Sequence, residues 1–501
     1  MGGELLEDQG VHEADDRIKP QDDQDICQDD RQTQKEDGQE GKNLVEVLST
    51  TVNHYFPKFN QWLNQLTDIR NQDLITYQRR TIVWAALLAL LTKRQSRMNI
   101  SHQMRDDRIC QNLKSLCGQE NLEDVPHGDT VEYLLMRLKA SELEGVQVKM
   151  MAALLRGRVL ERYRLLSKYH TVAIDGCHVH SFDYQHCEHC LSQEDKAAGQ
   201  KRWFHTKLMA SLVTPTGLCL PMACEWIENE PNYNKQDCEL RAFYRLVKKL
   251  RLLYPKLPMC LLLDALYAGQ PTFDCLKEAR MEWMVVFKEG CMSMIYNWVM
   301  SIKKHCAREN VIVDLEEEEI DDRQRRTHEQ RLNRGKSEHK KRVRVKETTY
   351  TWMKGIEFNE DRSLFNIMTC KEVVDEVKKC DYVWLVSDGL NLSEDNVKAL
   401  TQRGRCRWKI ENEGINTQKN GGYRLEHLYS RDKVSMKIWC ALIDIAHLIN
   451  QIIEQGSLIV IKTYGSIRNV SQRLFEHLRY YVFRKPPNPP RIQIRLGWNT
   501  S

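Results

Sequence analysis

Three acids occupy positions where an acid needs a reason. Asp175 closes the strand-like run TVAIDG, and Asp264 closes the apolar run MCLLLDALYA. A charge at the end of a buried strand is costly unless something compensates it. Glu411 lies in RCRWKIENEG, a helical segment in which Arg407 stands four residues earlier on the same face. Any one of these acids alone reads as a cap or as half of an ion pair. All three together read as oxygen ligands of a hard divalent cation, Mg²⁺ or Mn²⁺, which keeps positions free for water and phosphate.

A second set of metal-binding side chains falls in IDGCHVHSFDYQHCEHCL, which holds Cys177, His178, His180, His186, Cys187, His189 and Cys190. Cys187 and Cys190 have the C-x-x-C spacing that lets two thiolates share one Zn²⁺, and His178, His180 or Cys177 could complete the tetrahedron, with His186 and His189 also in reach. No second C-x-x-C follows, so ordinary thiols and imidazoles in a loop remain the other reading. Near the start of the next helical segment, Asp237 could orient a group of the acid site or simply complement a helix N-terminus.

The elements that must hold these residues follow from periodicity. Between 43 and about 168, apolar residues recur at helical spacing, as in Leu44, Val45, Val47 and Leu48 and again in Leu134, Leu135 and Leu138. Residues 82–91, IVWAALLALL, read as a buried helix too short to span a bilayer. The texture changes at Tyr169. HTVAIDGCHV is strand-like, and 207–227 reads as two strands joined by the turn Thr214-Pro215-Thr216-Gly217. Residues 236–253 are helical, MCLLLDALYA is a strand buried on both faces, 271–281 are helical, and EWMVVFKEG is a strand. Three strands, helix, strand, helix, strand is the order of a ribonuclease H-like α/β core. Residues 290–400 interrupt it with an acidic run, a basic run holding eleven Lys or Arg between Arg323 and Lys346, and the strand-like segments ETTYTWMKGI and CDYVWLVSD. A helix over 396–419 and an amphipathic helix over 436–453 complete the core. The expected partition is an acidic disordered tail (1–42), a helical N-terminal domain (43–165), the first part of the core (166–289), a β-rich insertion (290–395), the second part of the core (396–480) and an irregular tail (481–501).

Composition agrees with a folded chain of several units. The 501 residues are 41% hydrophobic, and no run of eighteen or more apolar residues suggests a membrane span. The acidic N-terminus lacks the basic-then-apolar order of a signal peptide, so the chain is expected in the cytoplasm, and its 17 cysteines are expected as thiols or metal ligands. The net charge of +4 hides a division: residues 1–42 hold 14 acidic and 5 basic side chains, so a chain of +4 carries about +13 beyond them. A basic body suits a polyanion. Within the basic run, Arg325, Arg326, Lys340, Lys341 and Arg342 are the expected phosphate-backbone contacts.

IDG around Asp175, LLLDALYA around Asp264 and RWKIENEG around Glu411 resemble the IS-four-type DDE transposases of bacterial insertion sequences, over roughly 165–480. In that family the core carries the two aspartates, a β-rich insertion follows the fifth strand, and the glutamate sits on the helix after it. The family's signature is Tyr, two residues, Arg, three residues, Glu, six residues, Lys. Arg407 and Glu411 match it, whereas Gly404 replaces the Tyr and Gln418 the Lys, leaving Lys419 or Lys409 to touch phosphate. Trp384 resembles the insertion-domain tryptophan that stacks on a flipped base, or packs within its strand. The resemblance implies two-metal phosphoryl transfer at Asp175, Asp264 and Glu411, no covalent enzyme intermediate, double-stranded transposon ends and target DNA as partners, a dimer in the synaptic complex, and a bacterial cytoplasmic protein on the nucleoid when bound. A structure-specific ribonuclease H-like nuclease and a non-catalytic DNA-binding derivative are the alternative readings.

Overall fold

The computed structural model describes residues 43–94, 96–195, 199–306, 310–321, 341–358, 363–484 and 492–497; the acidic tail, Arg325, Arg326 and Lys340 lie outside them. The first described stretch is helical, as its periodicity dictates: α1 (Leu44–Tyr55), α2 (Phe59–Asn64), α3 (Arg79–Leu91), α4 (Arg97–Gln103), α5 (Asp107–Cys117), α6 (Gly128–Leu135) and α7 (Ala140–Arg156). Asn43, Ser96 and Asp106 cap α1, α4 and α5 through side-chain oxygens that accept first-turn N–H groups. Helix α3 is buried at every residue from Thr81 to Leu91, so it is a central helix rather than a surface one.

The sheet begins with β1 (His170–Phe182), which pairs antiparallel with β3 (Gln200–Val213); β3 pairs antiparallel with β4 (Cys219–Ile227). The expected turn joins β3 and β4, with Gly217 N–H donating to Thr214 O at 3.2 Å and Gly217 at φ +95°. A short strand that periodicity did not reveal, β2 (Leu191–Asp195), pairs with the start of β3. Strands β5 (Met259–Leu263) and β6 (Glu282–Val286) run parallel to β1, reached through α8 (Glu239–Leu253) and α9 (Gln270–Glu278). Parallel neighbours need such helical crossovers. The order across this part of the sheet is β4-β3-β1-β5-β6.

After α10 (Ser293–Cys306), the interrupting block supplies β7 (Val311–Asp321), β8 (Lys341–Phe358), β9 (Ser363–Val374) and β10 (Val377–Ser387). These strands continue the core sheet, because β10 pairs antiparallel with β6. The acidic and basic runs face each other as strand partners. Glu316 lies opposite Lys346, Glu318 opposite Arg344 and Asp321 opposite Lys341, and Lys346 Nζ is 2.8 Å from Glu316 Oε2. Opposite charges on facing residues stabilise the pairing.

The chain then forms α11 (Val397–Arg405), a π-helical turn (Ile410–Asn416), α12 (Thr417–Asn420), α13 (Lys433–Gln455), α14 (Ile461–Tyr464) and α15 (Ile467–Tyr480). Helix α13 was expected to be amphipathic. Instead, every residue from Ser435 to Ile453 except Lys437 is buried, since it packs against α3, α7 and β4. It is long and apolar enough to cross a membrane by composition, yet it is the core helix that joins the N-terminal helices to the sheet.

Candidate active site

Strand pairing brings the two aspartates level. In the parallel ladder Val172 lies beside Leu261 and Ala173 beside Leu262, and two further steps reach Asp175 and Asp264 on neighbouring strands. Adjacent strands are about 4.8 Å apart. Glu411 comes from the π-helical turn, which packs on β1. Such turns widen the helix locally and recur at functional sites. Arg407 connects the acids: Nη2 donates to Glu411 Oε1 at 2.8 Å, and Nη1 lies 3.7 Å from Asp175 Oδ2. The Asp175 and Glu411 carboxyl groups also lie within hydrogen-bonding reach of each other.

A fourth carboxylate joins them. Glu239, the first residue of α8, accepts a hydrogen bond from Tyr267 Oη at 2.6 Å, three residues beyond Asp264. Its other oxygen lies against Gly176, where a Cβ would stand 2.7 Å from it. The glycine beside Asp175 thus lets a carboxylate approach the strand. In the sequence Glu239 is one more acid near a helix start, where it looks the same whether it complements the helix dipole or faces a site. The paired signal, Gly after Asp175 and Tyr after Asp264, becomes legible only with the crossover in hand.

Negative charge dominates this spot. Burial, and then the nearby Glu411 charge, push the Asp175 carboxyl up to about 7. Burial and Glu239, with smaller effects from Asp175 and Asp264, hold the Tyr267 hydroxyl far above its ordinary range. Besides Arg407, Lys288 is the facing cation, with Nζ 3.5 Å from Asp264 Oδ1, an oxygen that is buried and accepts no hydrogen bond. An oxygen-only donor set of four clustered carboxylates, one with a buried oxygen that accepts no hydrogen bond, fits a hard divalent cation.

Other expected residues are placed elsewhere. Trp384 is 1% exposed, paired in the sheet with Val286 and Met368, so it is a core residue and not a free stacking platform. Gly404 is why: a Cβ there would be 2.9 Å from the Trp384 ring, so the signature tyrosine has no room. Gln418 is fully buried and donates to Asp444 Oδ1 at 2.8 Å, and Asp444 Oδ2 accepts from the buried Lys207 at 3.0 Å. Lys419 pairs with Glu426 at 2.6 Å and Lys409 with Glu413 at 3.4 Å. Asp237 pairs with Arg245 at 2.7 Å.

The Cys/His cluster divides. His178 Nδ1 meets Thr206 Oγ1 at 3.0 Å, His180 Nδ1 meets Glu426 O at 3.4 Å, His189 Nδ1 meets Asn229 O at 2.9 Å, and the Cys177 thiol points to the His178 carbonyl. His178 and His180 are therefore corrected as ligand candidates. Cys187 and Cys190 instead converge with His186 and with His205, a residue of β3.

No protein family and no curated protein matches this chain. Among solved structures it is similar to the piggyBac transposase in a synaptic complex with hairpin DNA, seen by cryo-electron microscopy. The identity is 9%, the match covers 87% of this chain and 80% of that one, and the TM-score is 0.36. A likeness this slight carries no argument about either fold or chemistry.

Proposed function

We propose that this chain is a DDE-type DNA transposase built on a ribonuclease H-like core, with Asp175, Asp264 and Glu411 as the catalytic acids. The observation that supports the reading is the placement of Asp175 and Asp264 two residues past paired positions of adjacent parallel strands, with Glu411 linked to Asp175 through the Arg407 guanidinium. The strand order β4-β3-β1-β5-β6, with the first three antiparallel and the last two parallel to β1, supports the ribonuclease H-like reading of this mixed α/β sheet. The acids would hold Mg²⁺ or Mn²⁺, which when bound supply Lewis acidity to the attacking and leaving oxygens. Arg407 orients Glu411 and neutralises part of the cluster, and Tyr267 orients Glu239. Hydrolysis joins a water oxygen to phosphorus and releases the 3′ oxygen as a hydroxyl, and strand transfer then joins that 3′ oxygen to a target phosphorus, breaking the bond to the target strand's own 3′ oxygen, which leaves as a hydroxyl.

The test is incubation of purified protein with plasmid carrying the DNA that flanks its coding region. Nicks with free 3′-hydroxyl ends are expected in Mg²⁺ or Mn²⁺ and not in chelator, followed by joining to a second plasmid. Divalent-dependent cleavage without joining would instead indicate a structure-specific nuclease, and DNA binding without cleavage a non-catalytic derivative. Glu239→Gln is expected to weaken Mn²⁺ binding on the order of 10–100-fold, as loss of a supporting carboxylate does. Calorimetric titration with Mn²⁺ reads this, and unchanged affinity would reduce Glu239 to a helix-start acid.

A further inference from the structure

We infer that His186, Cys187, Cys190 and His205 form a closed structural Zn²⁺ site that ties the β1–β2 connection to β3 and to the segment before α13. The four ligand atoms all lie within 4.8 Å of one another. Cys187 Sγ and Cys190 Sγ are 3.8 Å apart, and His205 Nε2 is 3.7 Å from the first and 3.3 Å from the second. A tetrahedron with Zn–S near 2.3 Å and Zn–N near 2.0–2.1 Å has edges of about 3.8 Å between sulfurs and about 3.6 Å between sulfur and nitrogen. The protein already holds Cys187, Cys190 and His205 at about that spacing, with the His186 ligand atom within 4.8 Å of all three.

Surrounding bonds fit ligation. His186 Nε2 bonds to the Arg431 carbonyl at 2.8 Å, leaving its buried Nδ1 without a partner and directed by default to the ion. A histidine held through one nitrogen to a carbonyl is oriented and made more basic at the other. The His186 ring is also fixed by stacking on Phe182, with centroids 4.5 Å apart and planes 11° from parallel. The Cys187 N–H donates to Cys190 Sγ at 3.4 Å, and the His189 backbone N–H bonds to the Cys187 sulfur. With four protein ligands, no position is open for substrate, so the ion is structural.

The site is distinct from the acid cluster. His205 pairs with His180, five residues along β1 from Asp175, or roughly 16 Å at 3.3 Å per residue. Its use is in positioning: the Arg431 carbonyl, together with Lys433 Nζ at 2.5 Å from Glu188 Oε1, anchors the hairpin end of the sheet to the start of α13.

The test uses the full chain purified without chelator from zinc-supplemented medium. About one zinc per chain is expected, released only as an organomercurial titrates the two thiols. Exchange to Co²⁺ should give the visible absorption of a tetrahedral ion and a thiolate charge-transfer band. Cys190→Ser should lose the metal, whereas His178→Ala and His180→Ala should keep it. Should Cys190→Ser not fold, the cobalt spectrum of the unaltered chain carries the test. A thiolate-free octahedral spectrum, a Cys187–Cys190 disulfide by mass spectrometry, or zinc retained by folded Cys190→Ser would overturn the site.

Discussion

Asp175→Asn is expected to lose roughly a thousandfold or more of the DNA-cleaving rate while gaining thermal stability in metal-free buffer at pH 8. Both effects come from one cause. Asp175, Asp264, Glu411 and Glu239 crowd one spot faced by Arg407 and Lys288, and the Asp175 side chain is only 25% exposed. Its carboxyl is pushed up to about 7, first by burial and then by the Glu411 charge. An acid with a raised folded pKa takes up protons on folding. Stability is then greatest below the unfolded value near 4, falls as pH rises toward 7, and stays low above it. Asparagine carries no charge to bury, so the variant escapes that loss.

The gain should be on the order of 2 kcal/mol above pH 7, since the titration is shared with Glu411 and partly screened. It should shrink toward zero near pH 4. Mn²⁺ should close the gap at pH 8 by stabilising the unaltered chain and not the variant, as binding to the folded state alone does. Thermal unfolding across pH with and without Mn²⁺ reads all of this. A variant less stable than the unaltered chain at pH 8 in chelator would refute the charge-crowding account. Retained cleavage would refute the catalytic role.

The sequence alone carries whatever a strand or turn writes into neighbouring residues. TVAIDG and MCLLLDALYA each announce a buried strand ending in an acid, and Thr214-Pro215-Thr216-Gly217 announces a hairpin. What could not be read depends on pairing between distant segments. His205 stands fifteen residues from Cys190 in sequence and reaches it because β3 folds back on β1 opposite His180. His178 and His180, nearer the C-x-x-C than His205 is, have their rings turned to Thr206 and Glu426. Trp384 looked available in DYVWLVSD because the residue that covers it, Gly404, lies on another element. The partners of Arg344 and Lys346, Glu318 and Glu316, belong to the preceding strand of a ladder whose register no local pattern specifies.

The same dependence on distant pairing gives the largest stability effect, at Lys207. Its side chain is 0% exposed, and its ammonium meets Asp444 Oδ2 at 3.0 Å, while Asp444 Oδ1 takes a hydrogen bond from Gln418. Burial alone would lower the Lys207 pKa, but the Asp444 carboxylate more than offsets it and holds the ammonium above its ordinary range. Both the unfolded and folded values therefore lie above pH 10, and the lysine contributes no pH dependence between pH 5 and 9. Lys207→Met leaves Asp444 buried and unpaired, which is expected to cost about 3–5 kcal/mol. Replacing both, Lys207→Met with Asp444→Leu, removes the two charges together and is expected to recover most of that loss, because a buried ion pair contributes little net stability over an apolar pair. The pair still has a positional role. Gln418 follows the Glu411 turn by two residues, so loss of Asp444 frees the end of the segment that presents Glu411. The double variant should therefore fold near the unaltered stability and yet cleave DNA more slowly. Denaturant unfolding and cleavage rates on the same three proteins separate the two effects: a double variant as unstable as Lys207→Met refutes the ion-pair account, and full cleavage in a stable double variant refutes the positional one.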